Sequence, residues 1–333
     1  MTSRRVTIRD VASAAGVSAT TVSHVLSGNG RVHPETRARV NDTVEQLGYR
    51  PNPVAANLRR STFGSVGLVL PPSSLNYAFY SELMIGASEV LLEEATALSL
   101  IPPSAAPGQL SELAVDAVII AEPRTNDPVL QELSQSGKPT VLCEGSPDEL
   151  PPDMWTVDSD TTASVGATLD HLHASGARRI AAVVVEPVLW WGRNVLTAID
   201  TWEAATGRTV RRGIIPFAVT PTQARDQIRA LLKDGWPDAL LVCHEGLGAS
   251  ALATAHRLGR QVPDDLLVAC TVDGPDLLTL ETPVTALDLR PRRIGQAAAR
   301  LVLERPSLPG TTIHPELHLR ASTARQRPTG SAG

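Results

Sequence analysis

Aromatic residues are scarce in this chain, and so are cysteine and methionine. Aromatics make up 3 % of 333 residues, with three cysteines and three methionines. Cys143, Cys243 and Cys270 lie far apart and form no Cys-x-x-Cys pair, so no disulfide framework is read; reduced, buried thiols in a cytoplasmic protein are expected. No apolar run reaches the roughly 18 residues of a membrane span. The first residues, MTSRRVTIRDVASAAG, carry charge inside their apolar pattern and have no h-region of a secretory signal. There is no Gly-x-Ser-x-Gly elbow and no Walker loop. No repeat with a period of about 20–50 residues appears, and the one low-complexity stretch is the tail, RQRPTGSAG.

What is present is a 42 % hydrophobic content, ample for packed cores, in a chain long enough for two or three compact units. The net charge of −5 is unevenly spread. Residues 1–60 hold nine arginines against four acids, a net of +5, which leaves −10 for the rest. A small basic head on an acidic body means that only the head is suited to a polyanion.

Three helices are predicted in the first fifty residues. The first runs from about Thr7 to Ala15, with Ile8, Val11, Ala12 and Ala15 on one stripe and Thr7–Asp10 in capping-box form; Gly16 ends it. Ser18 caps the second, in which Val22, Val25 and Leu26 face inward. The third opens at Pro34–Glu35 and closes at Leu47–Gly48. Two helices joined by a tight Gly-containing turn, with a packing helix behind them, make a helix-turn-helix. In RPNPVAANLRR (50–60), Pro51 and Pro53 block a helix, and Val54–Leu58 is long enough for only a turn or two, which needs outside support. From Phe63 onward buried strands (65–70, 97–101, 116–121, 139–143, 179–185, 239–243, 266–272) alternate with helices (81–94, 129–136, 161–174, 223–233, 249–258). This βαβ pattern implies parallel sheets under helices, divided between two lobes.

VTIRDVASAAGVSATTVSHVLSG, RVHPETRARV, LGYRPNPVAANLRR and GSVGLVLP, in unbroken succession, resemble the LacI/GalR family of bacterial transcriptional regulators. FYSEL, VDAVII, SGARRIAAV, LGRQVPDDLLV and TPVTALDL extend the resemblance through the body. It implies an α/β protein: an N-terminal helix-turn-helix DNA-binding domain (1–49), a hinge (50–61), and a two-lobed, periplasmic-binding-protein-like body with parallel sheets (62–333). The first lobe is expected at about 62–160 and 290–319, the second at 161–289 and 320–327. It further implies a regulator, most simply a repressor, that binds a palindromic operator in double-stranded DNA as a homodimer under control of a small-molecule effector, with no cofactor, metal or membrane partner. The tail shows no leucine heptads, so a dimer and not a tetramer is expected.

By the same resemblance Ala19, Thr20 and His24 face base edges, as a methyl for thymine, a donor or acceptor, and a donor to guanine. Thr7, Ser18, Thr21, Ser23 and Arg31 fall where phosphates are contacted, although Thr21 and Ser23 equally suit capping. Leu58 stands where the family wedges a leucine into the minor groove, with Asn52, Ala55, Asn57 and Arg59 around it.

The expected ligand cleft departs from the family. Asn76, Tyr77 and Phe79 stand near an Asn-Pro-Phe motif whose proline is Ala78. Arg193 is off register for an arginine that clamps hydroxyls. His244–Glu245 replaces Asn-Asp, and Val272–Asp273 replaces Asp-Asp. Trp190 and Trp191 suit either stacking on a ligand or packing at an interface. The effector read from this set is flatter, less polar or differently charged than a hexose; that none is sensed is the other reading. The stretch 102–115 is short where the family has a full helix, which bears on the expected dimer face.

Enzyme readings are weaker. GLGASA (246–251) has Gly-x-Gly-x-x-Ala form, but its strand comes late and the acids some 20 residues on, Asp264 and Asp265, follow Val-Pro as a loop and not a strand end. His171-x-His173 points to opposite helix sides, and His314 and His318 flank PEL in an expected strand, so neither suits a metal. A solute-binding protein and a sugar- or nucleoside-processing enzyme are the runner-up functions.

Overall fold

The computed structural model describes residues 6–27, 31–50, 57, 62–102, 108–124, 127–145, 150–151 and 153–325. The chain forms two compact units that divide after Phe63.

The head consists of α1 (Ile8–Ala15), α2 (Ala19–Ser27) and α3 (Pro34–Leu47). Thr7 caps α1 in a reciprocal box: its hydroxyl accepts from Asp10 N, and Asp10 Oδ2 accepts from Thr7 N at 2.8 Å. Gly16 and Gly48 end α1 and α3 in the left-handed conformation, with φ near +64° and +60°, which glycine adopts without strain. The core is Val11, Ala12, Ala15, Val22, Val25 and Val40. Arg39 Nε donates to Ala15 O at 2.9 Å and ties α3 to the end of α1.

The body holds two six-stranded sheets. In order along the first sheet these are β2 (Ala97–Ile101), β1 (Ser65–Val69), β3 (Ala117–Ala121), β4 (Thr140–Cys143), β5 (Met154–Ser159) and β11 (Gly310–Ile313), all parallel. Along the second they are β7 (Val210–Ile215), β6 (Ile180–Val185), β8 (Ala239–Cys243), β9 (Leu267–Cys270), β10 (Thr285–Asp288) and an antiparallel edge, β12 (Glu316–His318). The helices are α4 (Ala78–Glu93), α5 (Gln109–Glu112), α6 (Pro128–Ser136), α7 (Thr161–Ala174), α8 (Trp190–Thr206), α9 (Pro221–Leu232), α10 (Gly248–Arg257), α11 (Pro275–Thr279) and α12 (Pro291–Glu304).

The chain passes between lobes three times, near 160, 290 and 314–315. Here the expected boundary is corrected. Residues 316–319 belong to the second lobe, because β12 pairs with β10 and Arg320 docks on Asp273; the first lobe's closing segment ends at Ile313. Several elements also lie beyond those read from the sequence. Strand β7 carries Arg211 and Arg212 on a sheet edge, where charge is tolerated and the apolar signature is lost. Strands β5 and β10 are mixed in polarity, and α12 packs on α4 so closely that a Cβ at Gly86 or Gly295 would meet partner backbone. All three cysteines are buried and unpaired.

Candidate functional site

In the head, α2 turns Val22 and Val25 inward and leaves Thr20 and His24 exposed on the opposite side. Ala19 is half-buried and packs on the head core. Hydroxyls expected at phosphates also serve the helix starts. Ser18 Oγ accepts from Thr21 N at 3.0 Å and shares a hydrogen bond with Thr21 Oγ1 at 2.8 Å, while Thr7 Oγ1 donates to Asp10 Oδ2 at 2.7 Å. Ser23 is half-buried and Arg31 exposed. The Asn57 amide donates to Phe63 O at 3.2 Å. Asn52, Ala55, Leu58 and Arg59 lie outside the described residues.

In the body, a cavity is built from the carboxyl ends of strands of both sheets. Tyr77, Phe79 and Tyr80 follow β1, Glu122 follows β3, Trp191 lies beyond β6, Phe217 beyond β7, and His244–Glu245 end β8. The order of each sheet reverses between β1 and β3 and between β6 and β8, and the outer ends of strands at such reversals are where open α/β sheets bind ligands. The rings form a cluster: Tyr77 meets Phe217 edge-on at 5.7 Å between centroids and His244 at 5.2 Å. The remaining space is about 30 Å³, room for a water molecule or two.

The lobes are latched across this cavity. Tyr77 supplies no side-chain cap to α4; instead Glu245, from the other lobe, accepts from Ala78 N at 2.6 Å and Phe79 N at 3.1 Å. An anion at a helix N-terminus is favoured by the unpaired N–H groups and the helix dipole. Burial pushes the Glu245 carboxyl up, against the pull of these two bonds. His244 Nε2 lies 3.0 Å from Phe217 O and 3.5 Å from Tyr77 Oη.

Glu122 is 8 % exposed, and its Oε2 makes no hydrogen bond. Burial pushes its carboxyl up to about 7, opposed by the Tyr80 hydroxyl and reinforced by the Glu245 charge. Deeper in the same lobe, burial raises Glu144 to about 8, although Ser159 donates to it from N at 3.0 Å and from Oγ at 2.6 Å.

Four residues expected at the ligand do not line this cavity, although one of them, Asp273, lines an adjoining space of about 720 Å³ with Ala78, Phe79 and Val272. Asn76 is exposed at the end of a short 3-10 turn. Trp190 is buried against Gly145, where a Cβ would collide with it, and its backbone N–H donates to Pro123 O at 3.3 Å, so it packs lobe on lobe while its indole N–H is buried without a partner. Arg193 stacks on Trp190 at 4.7 Å instead of reaching the cavity. Asp273 is held by Arg320 through two bonds, at 2.8 and 2.5 Å, and by His318 at 3.0 Å. Burial alone would raise its carboxyl; these partners more than offset that and hold it below the usual range. Tyr80, Glu122 and Phe217 were missed. An acid directly after the strand AVIIA was the available signal for Glu122. Phe217 had none, because its strand went unread.

The nucleotide-like glycines serve the fold: a Cβ at Gly248 would run into Leu277 and Cys270 Sγ, and Gly246 takes a left-handed φ of +77°. His171 and His173 bond separately, to Thr323 and to Ala177 O and Arg208.

The family pattern described as "Bacterial regulatory proteins, lacI family" matches residues 7–52, and "Periplasmic binding protein-like domain" matches 169–327. The regulator CelR of Thermobifida fusca is 29 % identical over 325 residues, covering 94 % of each chain. The maltose regulon regulatory protein MalI of Escherichia coli (strain K12) is 28 % identical, covering 96 % of each. Among solved structures, a CelR–cellobiose complex matches with TM-score 0.70 and 25 % identity over 96 % of this chain and all of that one. A lac repressor dimer bound to operator and an anti-inducer shares the fold, with TM-score 0.78 and 21 % identity over 97 % of this chain and all of that one. With the lacI-family pattern of bacterial regulatory proteins in its helix-turn-helix head and a periplasmic-binding-protein-like pattern in its two-lobed body, the chain is a DNA-binding transcriptional regulator.

Proposed function

We propose that the chain acts as a dimeric repressor whose grip on a palindromic operator is set by a small molecule in the interlobe cavity. The observation that carries this reading is the cavity itself, which has walls from both lobes and is latched by Glu245 on α4. A ligand that separates Glu245 from α4 favours a more open body; one that fits the closed body favours the other arrangement. Either shifts the equilibrium only by its differential affinity for the two. The sugar in the CelR complex makes a saccharide-sized molecule a reasonable scale for the ligand. The space among these rings is far smaller than that, so a ligand of this size enters it only if the rings and the Glu245 latch give way.

Dimerisation through the first lobe is supported by exposed apolar side chains. Ile85 and Leu92, seven residues apart on α4, and Leu100 on the edge strand β2 are 43 %, 75 % and 50 % exposed. Surfaces of this kind mark protein contacts.

On DNA, Thr20 and His24 supply the direct readout, and the Leu58 wedge is proposed from sequence alone. The test is selection of bound fragments from the source genome by the purified protein at near-physiological salt, where non-specific binding is weak. A palindrome is expected, with His24→Ala relaxing preference at one or two positions of each half-site by about 1 kcal/mol. Equal losses on operator and random DNA would refute base reading by α2.

A further inference from the structure

The polar groups lining the cavity are an unusual set. They are two carboxylates, two phenols, one imidazole and the Trp191 indole, with no lysine, arginine, asparagine, glutamine, serine or threonine among the described residues that line it. A neutral sugar presents hydroxyls that each donate and accept, so a site for it needs both kinds of partner. Here the phenols, imidazole and indole can donate, but the charge, all of it from the two carboxylates, is of one sign.

The two carboxylates differ. Glu245 is already engaged by two backbone N–H groups of α4. Glu122 is nine-tenths buried, lines the cavity, and has an oxygen without a partner. A buried carboxylate without a partner is costly, and nothing cationic contributes to its surroundings; the groups acting on it are the Tyr80 hydroxyl and the like charge of Glu245. Arg193, the nearest arginine in sequence to the cavity's Trp191, is taken up on Trp190. The rings of Tyr77, Tyr80, Trp191 and Phe217 line the same cavity as Glu122, and those of Tyr77, Tyr80 and Phe217 stand at 51° to 85° to one another. Rings converging from several directions around an acid form a box, whereas a flat sugar face calls for one parallel platform. Such boxes attract organic cations through the negative faces of the rings.

Resting on the reading of this cavity as the effector site, we infer that the effector carries an ammonium group, primary or quaternary, which is held by the carboxylate of Glu122 inside the box of Tyr77, Tyr80, Trp191 and Phe217. The ligand supplies the positive charge that this part of the lobe lacks. Its entry separates Tyr77 from His244, and with them the two lobes.

The experiment is calorimetric titration of the full chain with matched pairs that differ in charge: choline against dimethylbutanol, its uncharged carbon isostere, and glucosamine against glucose. In at least one pair the charged member should bind tighter by about tenfold or more. Glu122→Gln, close in shape, should erase that preference. Phe217→Leu removes a wall of the box without touching the charge, and should weaken the cation more than its isostere. Neutral members binding as tightly as charged ones, or a preference that survives Glu122→Gln, would overturn the ammonium and leave the effector site standing. If neither these probes nor neutral disaccharides bind at millimolar concentration, the ammonium and the effector reading fall together.

Discussion

In the head, three helices enclose six small aliphatic side chains, all valine or alanine; in the body, one continuous apolar cluster runs from the first sheet into the second and includes Trp155, Trp191 and Trp202. The head therefore leans on local devices. The Thr7–Asp10 box, the Ser18–Thr21 cap, two left-handed glycines and the Arg39 bond to Ala15 hold it in shape. A cap contributes about 1 kcal/mol, comparable to burying part of a valine, so caps matter where the core is small. The body is secured by long-range pairing and can tolerate buried charge in its cavity walls. One unit presents side chains from a single short helix; the other assembles a cavity from strand ends scattered over some 210 residues of chain, from Tyr77 to Leu289.

The largest effect expected from this contrast lies where the body's polar contacts are most interdependent. Arg320 is 10 % exposed, bonds both oxygens of Asp273, and donates to Val284 O at 2.7 Å. Arg320→Ala leaves Asp273 without its main partner at the lobe crossover and should cost about 3 kcal/mol. All five tryptophans are in the body, so tryptophan fluorescence during denaturant unfolding reads this loss alone. A loss below about 1 kcal/mol would show that the network is not structural, and Asp273 would again be open to a ligand role.

A smaller effect comes with pH. Glu122 and Glu144 have carboxyls raised to about 7 and about 8 in the folded body, above an ordinary value near 4.5. The folded state thus holds protons that the unfolded chain releases. The stability they provide is complete below about pH 4.5 and is lost as pH rises through about 8. Between pH 5 and pH 8.5 the body's Tm should fall by about 5 °C. Glu144→Gln, which cannot ionise, should flatten much of that slope. An unchanged slope would mean that other groups carry it.

The same contrast explains what could be read from the amino acids. The head was legible to the residue: α3 runs Pro34–Leu47 as expected, and Thr7, Gly16 and Ser18 cap where their types predict. Helical caps and turns are decided within a few residues of chain, so sequence displays them. The βαβ alternation was legible too, because parallel strands buried on both faces are continuous apolar runs. The cavity was half legible. Tyr77, Phe79, Trp191, His244 and Glu245 line it, but Trp190 is held by Gly145 and Pro123 of the other lobe, Arg193 by Trp190 on its own helix, and Asp273 by Arg320 from beyond residue 300. Which of two neighbouring tryptophans faces a ligand depends on the tilt of α8, and no local pattern encodes that.

The smallest expected effect is also the sharpest test of the head. Thr7→Ala removes the hydroxyl that accepts from Asp10 N and donates to Asp10 Oδ2, leaving α1 with an uncapped first turn. The cost should be about 1 kcal/mol, felt in the head alone. Amide exchange across α1 should speed up roughly five-fold, while tryptophan fluorescence reports an unchanged body. Thr7→Ser keeps the hydroxyl and should restore both exchange and operator affinity. If Thr7→Ala weakens operator binding with no change in exchange, the hydroxyl acts on phosphate and not on the helix, and the Thr7 bond to Asp10 would have to yield on DNA.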